Sequence, residues 1–405
     1  MGNFYLDKYS FFQPQITAEI DESTKAIVVI PCYNEPNLIA SLQALYDCEL
    51  SAAVEVIVVI NCAENALIEI KNQNEKTLIE ARKWSEKQNS NFISYHFIFV
   101  NDLPKKHAGV GLARKIGMDE AVARFHSINH DGIIVMFDAD SLCDANYLSE
   151  IIKHFAENPK TPGCSIYFEH PLKGNEYEPE IYVGITKYEL FLRYYLKGLR
   201  VANLPYAFYT VGSSMAVRSN AYQKQGGMNK RKAGEDFYFI QKIIELGHYT
   251  ELNSTRVIPS SRTSNRVPFG TGKAINDWVK QSTEEYLTYN PQTFYDLRGF
   301  TKGVESLFES DNWEQYCSAC LKEYLIQNNF SEALLGIRKN SANQQSFVKR
   351  FYTWLNAFRV LKFVHFARDN YYEQIMVERA AALLLKLDDT EASKLLSLYR
   401  NNSLD

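Results

Sequence analysis

"DGIIVMFDADS", residues 131–141, decides how the chain folds. Its apolar run is continuous rather than alternating, as in a strand whose sheet is covered on both faces. The run ends in two aspartates, Asp138 and Asp140, one residue apart. At i and i+2 of an extended chain they point the same way. A buried carboxylate is costly unless it is paired, and two like charges at one place repel unless a cation lies between them. The stretch therefore predicts a buried parallel strand with a charged site at its carboxyl end.

Working outward, "KAIVVIPCYNE" (25–35) and "VEVIVVINCAEN" (54–65) have the same character, and "SYHFIFVND" (94–102) is a fourth, mixed strand. Helical patterns separate them. Leu38, Ile39, Leu42 and Leu45 recur at helical spacing behind Pro36, which suits a first helical turn. Residues 74–88 and 110–125 repeat the pattern. Strand and helix in alternation imply a doubly wound, mostly parallel α/β sheet flanked by helices. Ligands of such sheets bind beyond the carboxyl ends of the strands. There the sequence offers Tyr33, Asn34 and Glu35, then Asn61, then Asp138 and Asp140.

Three regions follow. Residues 1–24 form an N-terminal extension. Residues 25–275 form the α/β domain, with a regularly alternating half at 25–141 and a mixed half at 142–275 that closes over the sheet. Residues 276–405 read as a helical C-terminal region. A chain of 405 residues is long for one core. Hydrophobic residues at 46% and charged residues at 23% are ordinary for a globular protein. A net charge of −4 argues against nucleic acid as a main partner. No run of 18 apolar residues suggests a transmembrane helix, and "MGNFYLDKYSFFQPQ" lacks the form of a secretory signal. The expected location is the cytoplasm. Leu6 stands where a myristoylation signal needs Ser or Thr. Seven scattered cysteines fit reduced thiols. "CSAC" (317–320) has redox or zinc spacing but no second pair, and reads as part of a helix.

The chemistry-bearing motifs each have a bland alternative. Tyr and Glu in "PCYNEP" could stack on a base and accept from a ribose, or simply cap the next helix. "GVGLARKIGMDEAV" (109–122) puts glycines and Arg114 at a helix start, where a phosphate can be bound, though its glycines miss the dinucleotide spacing. Asp138 and Asp140 suit a hard divalent cation, Mg²⁺ or Mn²⁺, shared with substrate phosphates; the alternative is a helix cap. "AGEDFYFIQKI" (233–243) places Glu235 and Asp236 in a first helical turn, where the helix dipole favours acids and where a catalytic base could also stand.

Taken in order, "VVIPCYNE", a second strand ending at Asn61, "GLARKIG", "DAD", "VGSSMAVRSNAY" and "GED" resemble the family-2 glycosyltransferases of GT-A fold, over roughly residues 25–270. The resemblance implies that Pro31, Tyr33 and Glu35 hold the donor nucleotide. Asn61 stands where many members carry an Asp that contacts the base. Arg114 matches the Arg of the family's "ARN" segment near the pyrophosphate, with Lys115 in place of the Asn. Asp138 and Asp140 match the DxD motif, Asp140 as the direct metal ligand and Asp138 nearer the ribose. Gly212 and Ser213 of "VGSSM", together with Glu235, fall in the acceptor pocket, and Asp236 matches the base that deprotonates the acceptor hydroxyl. The implied donor is a nucleotide-diphosphate sugar, a UDP-sugar first and a GDP-sugar second. The implied acceptor is a hydroxyl on a glycan, a lipid-linked carrier or a small molecule.

A nucleotidyltransferase would want a Gly-rich basic loop after the first strand, and "PCYNEPN" has none. A processive synthase would want membrane helices and a Gln-Arg-Trp segment. A non-catalytic nucleotide- or partner-binding protein would be expected to lack one of the three aspartates. "SSRTSNRVPFGTGKAINDW" (260–278) carries Arg262, Arg266 and Lys273 among hinge-forming glycines and reads as a lid over the pyrophosphate. In the tail, Phe347, Phe351, Trp354, Phe358 and Leu361 share a helical face. Packing against other helices is the leading reading; peripheral contact with the inner membrane face is the second.

Overall fold

The structure is a computed structural model. It describes the chain apart from residues 1, 89, 91, 265–269, 282–284, 389–390 and 402–405. The chain divides into two compact units, residues 1–177 with 210–276, and residues 178–209 with 277–405.

The first unit contains an eight-stranded sheet. Its strands are β1 (Ala26–Cys32), β2 (Val54–Ala63), β3 (Ile93–Leu103), β4 (Ile133–Met136), β5 (Leu142–Cys143), β6 (Gly163–Phe168), β7 (Met215–Arg218) and β8 (Thr250–Ile258). They lie in the order β3-β2-β1-β4-β7-β6-β8-β5. β1 to β4 run parallel, β7 is antiparallel to both β4 and β6, β8 is parallel to β6, and β5 returns antiparallel to β8. β1, β2 and β4 are the most apolar and lie together at the middle of the parallel half, nearly all of their residues buried. β3 is at the edge of the sheet, which is why its pattern is mixed.

Register brings the site segments to one edge. The β1–β4 ladder ends at Val29 beside Met136, so residues 31–35 and 137–140 emerge side by side. Because β7 is antiparallel, Met215 also pairs with Met136, which puts the preceding residues 211–214 at that edge. β8 ends there too, and leads to residues 259–264.

Helices α1 (Phe4–Tyr9), α2 (Leu38–Tyr46), α3 (Ile68–Ser85), α4 (Val110–Ser127) and α5 (Tyr147–Glu157) belong to this unit. So do α7 (Ser219–Lys224) and α8 (Glu235–Ile244), which follow α6 (Pro179–Val201) in the chain. α4 rests on the sheet, and Gly117 allows it: a Cβ there would lie 2.4 Å from Val29. Its opposite face carries charges, yet it is buried, because the N-terminal extension covers it. Tyr5 donates to Asp119 (2.7 Å), the Gln15 and Ile16 amides donate to Glu120 (2.7 and 3.1 Å), and Arg124 donates to the Ala18 carbonyl (2.9 Å). Lys115, Asp119, Glu120 and Arg124 are the partners of this strap, whereas Arg114 bonds acids at the carboxyl edge of the sheet.

The second unit contains α6 with α10 (Gln292–Thr301), α11 (Ala319–Gln327), α12 (Phe330–Lys339), α13 (Gln344–Trp354), α14 (Ala357–Asn370), α15 (Val377–Leu385) and α16 (Ala392–Asn401); α9 (Thr271–Lys280) crosses the boundary between the units. A ribbon of β9 (Leu287–Thr288) and β10 (Ile375–Met376) completes it. Residues 178–209, expected within the 142–275 half of the α/β domain, belong here. α15 and α16 pack on α6, and the buried Glu189 of α6 accepts from Arg193 and Arg400, all at 2.8 Å. Phe347 and Phe351 are fully buried and stack with Phe300, Phe308 and Phe330, so that part of the tail's aromatic stripe is core; only Phe358 is largely exposed. Among the described residues no helix is long and apolar enough to cross a membrane.

Candidate active site

At the carboxyl edge of the sheet, two arginines each bridge two acids. Arg114, on the first turns of α4, donates from Nη2 to Asp138 Oδ1 (2.8 Å) and from Nη1 to Glu235 Oε1. Arg262, four residues beyond β8, donates from Nη1 to Glu35 Oε1 (3.1 Å) and from Nη2 to Glu35 Oε2. The same Nη2 lies 2.6 Å from Asp140 Oδ2. The two aspartates thus face different cations.

Arg114 reaches its partners because Gly212 has no side chain: a Cβ there would sit 2.1 Å from Nη1. The loop that delivers Glu235 and Asp236 is held by Asn229, whose Nδ2 donates to the Glu235 carbonyl at 3.0 Å. Gly234 caps α8 with φ +69°, a left-handed conformation that favours glycine. Arg114 is almost fully buried, which alone would lower its pKa, but Asp138, Glu235 and Asp236 outweigh burial and raise it.

Glu235 and Asp236 behave alike. Burial pushes the Glu235 carboxyl above the usual range, against the pull of Arg114. Burial does the same to Asp236, with the negative charge of Asp138 adding to it. Arg114 and the amides of Phe237 and Gly212 oppose the rise, and the Phe237 amide donates to Oδ1 at 2.8 Å. A carboxylate with raised proton affinity at the mouth of a sheet suits general-base work.

Glu35 is fully buried and fixed from three sides. Arg262 pairs with its carboxylate, the Asn37 amide donates to Oε1 (3.0 Å), and Thr77 donates to its backbone carbonyl (2.8 Å). Pro31 is the sixth residue of β1, and Tyr33 stands half-buried just past the strand. Asn61 is buried, and its Nδ2 donates to the carbonyls of Cys32 (3.0 Å) and Val59 (3.2 Å). Asn74 supports the same corner, accepting from the Asn34 amide (2.9 Å) and donating to the Asn61 carbonyl (3.0 Å) and to Asn101 (3.1 Å). In this structure Asn61 therefore braces the ends of β1 and β2. Asn74 and Asn101 escaped the sequence reading because nothing in a helix or an edge strand marks an amide that points inward. A lone fully buried Asn at position 74 of an otherwise polar helix is visible only in three dimensions.

Of the candidate lid residues, Arg262 lies on the site, Lys273 is in the first turn of α9, and Arg266 is outside the described residues. The Ser264 amide donates to the Gly272 carbonyl (2.9 Å), so the segment carrying Arg262 is tied to the start of α9. Ser213 and Ser214 are buried beside Gly212, and the Ser214 hydroxyl and Arg114 Nε lack a hydrogen-bond partner among the described residues.

Asp138 and Asp140 present hard oxygen ligands, with side chains 37% and 27% exposed. Among the described residues no group of three His, Cys, Asp or Glu side chains is arranged to hold a metal. This donor set fits Mg²⁺ or Mn²⁺ held by one or two carboxylates and otherwise by phosphates and water, and does not fit an all-protein cage.

The match to known families follows this geometry. The profile of glycosyl transferase family 2 matches residues 27–224, and that of glycosyl transferase family group 2 matches residues 133–328. Both matches are to family-2 glycosyltransferase profiles, each over just under half of the chain and together over residues 27–328, and the sheet with its flanking helices is the α/β arrangement that this resemblance implies. No curated relative matches the chain. Solved structures similar to it include residues 1–349 of S. aureus TarS in complex with UDP-GlcNAc, at 14% identity and TM-score 0.40, covering 93% of this chain and 89% of that one. Another is the mannosyltransferase PcManGT from Pyrobaculum calidifontis in complex with GDP-Man and Mn²⁺, at 15% identity and TM-score 0.38, covering 99% of this chain and 85% of that one.

Proposed function

We propose that the chain is a metal-dependent, inverting, non-processive hexosyltransferase that moves a sugar from a nucleotide-diphosphate donor to a hydroxyl acceptor. The observation that carries this is the linked set Asp236, Glu235, Arg114 and Asp138, with Asp140 two residues on. A buried carboxylate, Asp236, and the two strand-end acids share one edge of the sheet.

An acceptor hydroxyl is a poor nucleophile at neutral pH, so it needs a base as it attacks. Asp236 takes that proton: its raised pKa makes it a better acceptor than an ordinary aspartate, and the Phe237 and Gly212 amides orient it. One base and one direct displacement invert the anomeric carbon. Arg114 holds Asp138 and Glu235 in place on either side. Pro31 and Tyr33 line the donor side with Glu35 buried behind them, and Gly212 and Ser213 the acceptor side. Asp138 and Asp140 would hold Mg²⁺ or Mn²⁺, which when bound neutralises charge that develops on the departing nucleoside diphosphate. The donor is a UDP-sugar first and a GDP-sugar second, and the site of action is the cytoplasm.

The test is release of nucleoside diphosphate from a panel of UDP- and GDP-sugars, with water or simple alcohols as acceptors and Mn²⁺ present. Slow turnover of one donor that disappears in Asp236→Asn supports the reading. A donor that binds tightly but is turned over by neither protein returns the chain to the nucleotide-binding alternative, and equal turnover by both removes Asp236 from the role of base.

A further inference from the structure

Arg262 makes the contact that the proposed reaction leaves unexplained. Its guanidinium grips Glu35 through both terminal nitrogens, and Glu35 cannot follow it outward, because it is buried and tied to Asn37 and Thr77. The same Nη2 lies 2.6 Å from Asp140 Oδ2. Asp140 and Arg262 are partly exposed, at 27% and 23% of their side-chain surface, whereas Glu35 is at 1%. The pair is thus an immobile anchor and an exposed carboxylate, joined by a side chain that solvent can reach. An arginine guanidinium does not lose its proton in a protein, so this bridge is always a cation.

A divalent cation on Asp140 would stand beside this guanidinium. Two cations a few ångströms apart disfavour each other, unless an anion comes with the second. A diphosphate is such an anion, and a guanidinium fork matches phosphate oxygens as well as it matches carboxylates. We propose that Arg262 is a tethered counter-ion that competes with free divalent cation for Asp140 and yields only to a cation that arrives with a nucleoside diphosphate. The inference rests on the metal reading of Asp140 given above. By linkage, nucleotide and metal must then strengthen each other by one common factor, and Arg262 sets part of that factor. The enzyme would ignore metal alone and assemble its donor site only when both components are present.

The test is Mn²⁺ uptake by the full chain, followed by the free-ion electron paramagnetic resonance signal, without nucleotide and with UDP or GDP. It compares wild type, Arg262→Gln and Arg262→Lys. Arg262→Gln should bind Mn²⁺ alone about 10-fold more tightly than wild type, and nucleotide should improve its Mn²⁺ affinity correspondingly less. Arg262→Lys, which keeps the charge, should stay close to wild type without nucleotide. A variant that is merely misfolded can only weaken metal binding, so a gain is specific. Equal or weaker Mn²⁺ binding by Arg262→Gln overturns the inference while leaving the metal reading intact. No uptake by wild type even with UDP or GDP removes the metal reading, and this inference with it.

Discussion

Replacing Asp236 by Asn separates chemistry from folding at one position. The amide keeps the shape of the carboxyl and can still accept the Phe237 N–H, but cannot take a proton. Loss of a general base lowers kcat by roughly 10²–10⁴-fold, equivalent to about 2.7–5.4 kcal/mol of barrier. Stability should respond differently. Because burial and the neighbouring Asp138 raise the Asp236 pKa, the folded state binds its proton more tightly than the unfolded chain does. Stability from this group is therefore fully present below the ordinary aspartate value of about 3.9 and declines as pH rises through the raised folded value. At neutral pH the wild-type carboxylate is a cost to the fold that the neutral amide avoids. Against this stands one backbone amide, that of Gly212, which loses an anionic acceptor, worth about 1 kcal/mol. The balance predicts a melting temperature no more than about 2–4 °C below wild type, or above it. The assays are donor turnover and thermal unfolding at pH 7.5 on the same preparations. Unchanged turnover refutes the role of Asp236, and a collapse in melting temperature refutes the electrostatic reasoning.

Other perturbations follow from the same geometry. The acidic limb of kcat/KM should lie above the ordinary aspartate value of about 3.9, since Asp236 must be ionised to act and burial raises its pKa; a limb at or below that ordinary value would exclude it. Gly212→Ala places a Cβ where Arg114 Nη1 lies and should cost about 1–3 kcal/mol of stability together with most of the activity, read by unfolding and turnover. Asn74→Ala strands the Asn34 amide and the Asn61 carbonyl at the corner of β1 and β2 and should cost about 1–3 kcal/mol by denaturant titration. Phe351→Ala should destabilise the helical unit by about 3–5 kcal/mol, while the native chain fails to float with anionic vesicles, because Phe347 and Phe351 of the aromatic stripe are core.

The parallel half of the sheet was readable because its strands are buried on both faces, which leaves continuous apolar runs such as "IVVI" and "IIVM". The strand-end acids were readable for the opposite reason: a charge directly after such a run has few structural uses. Arg114, Asp138 and Glu235 were each found through their motifs, but that Arg114 joins the other two was not, since a contact between residues 114 and 235 leaves no trace in local spacing. The burial of α4 was misleading in the same way: its outer face is charged, and only the N-terminal strap explains why. Residues 178–209 looked like part of the α/β domain because they lie between two of its strands, yet α6 buries its apolar side among C-terminal helices. Arg262 looked like a flexible lid, and the structure gives it two acidic partners.

The most direct measurement is thermal unfolding of the purified protein against UDP, GDP, CDP and dTDP, with and without Mn²⁺, with Asp140→Ala alongside. A ligand at 100 times its Kd adds about 2.7 kcal/mol, enough to move the midpoint by several degrees. The account predicts such a shift with one nucleotide, requiring both Mn²⁺ and Asp140. No shift with any nucleotide, or an equal shift in Asp140→Ala, would contradict it.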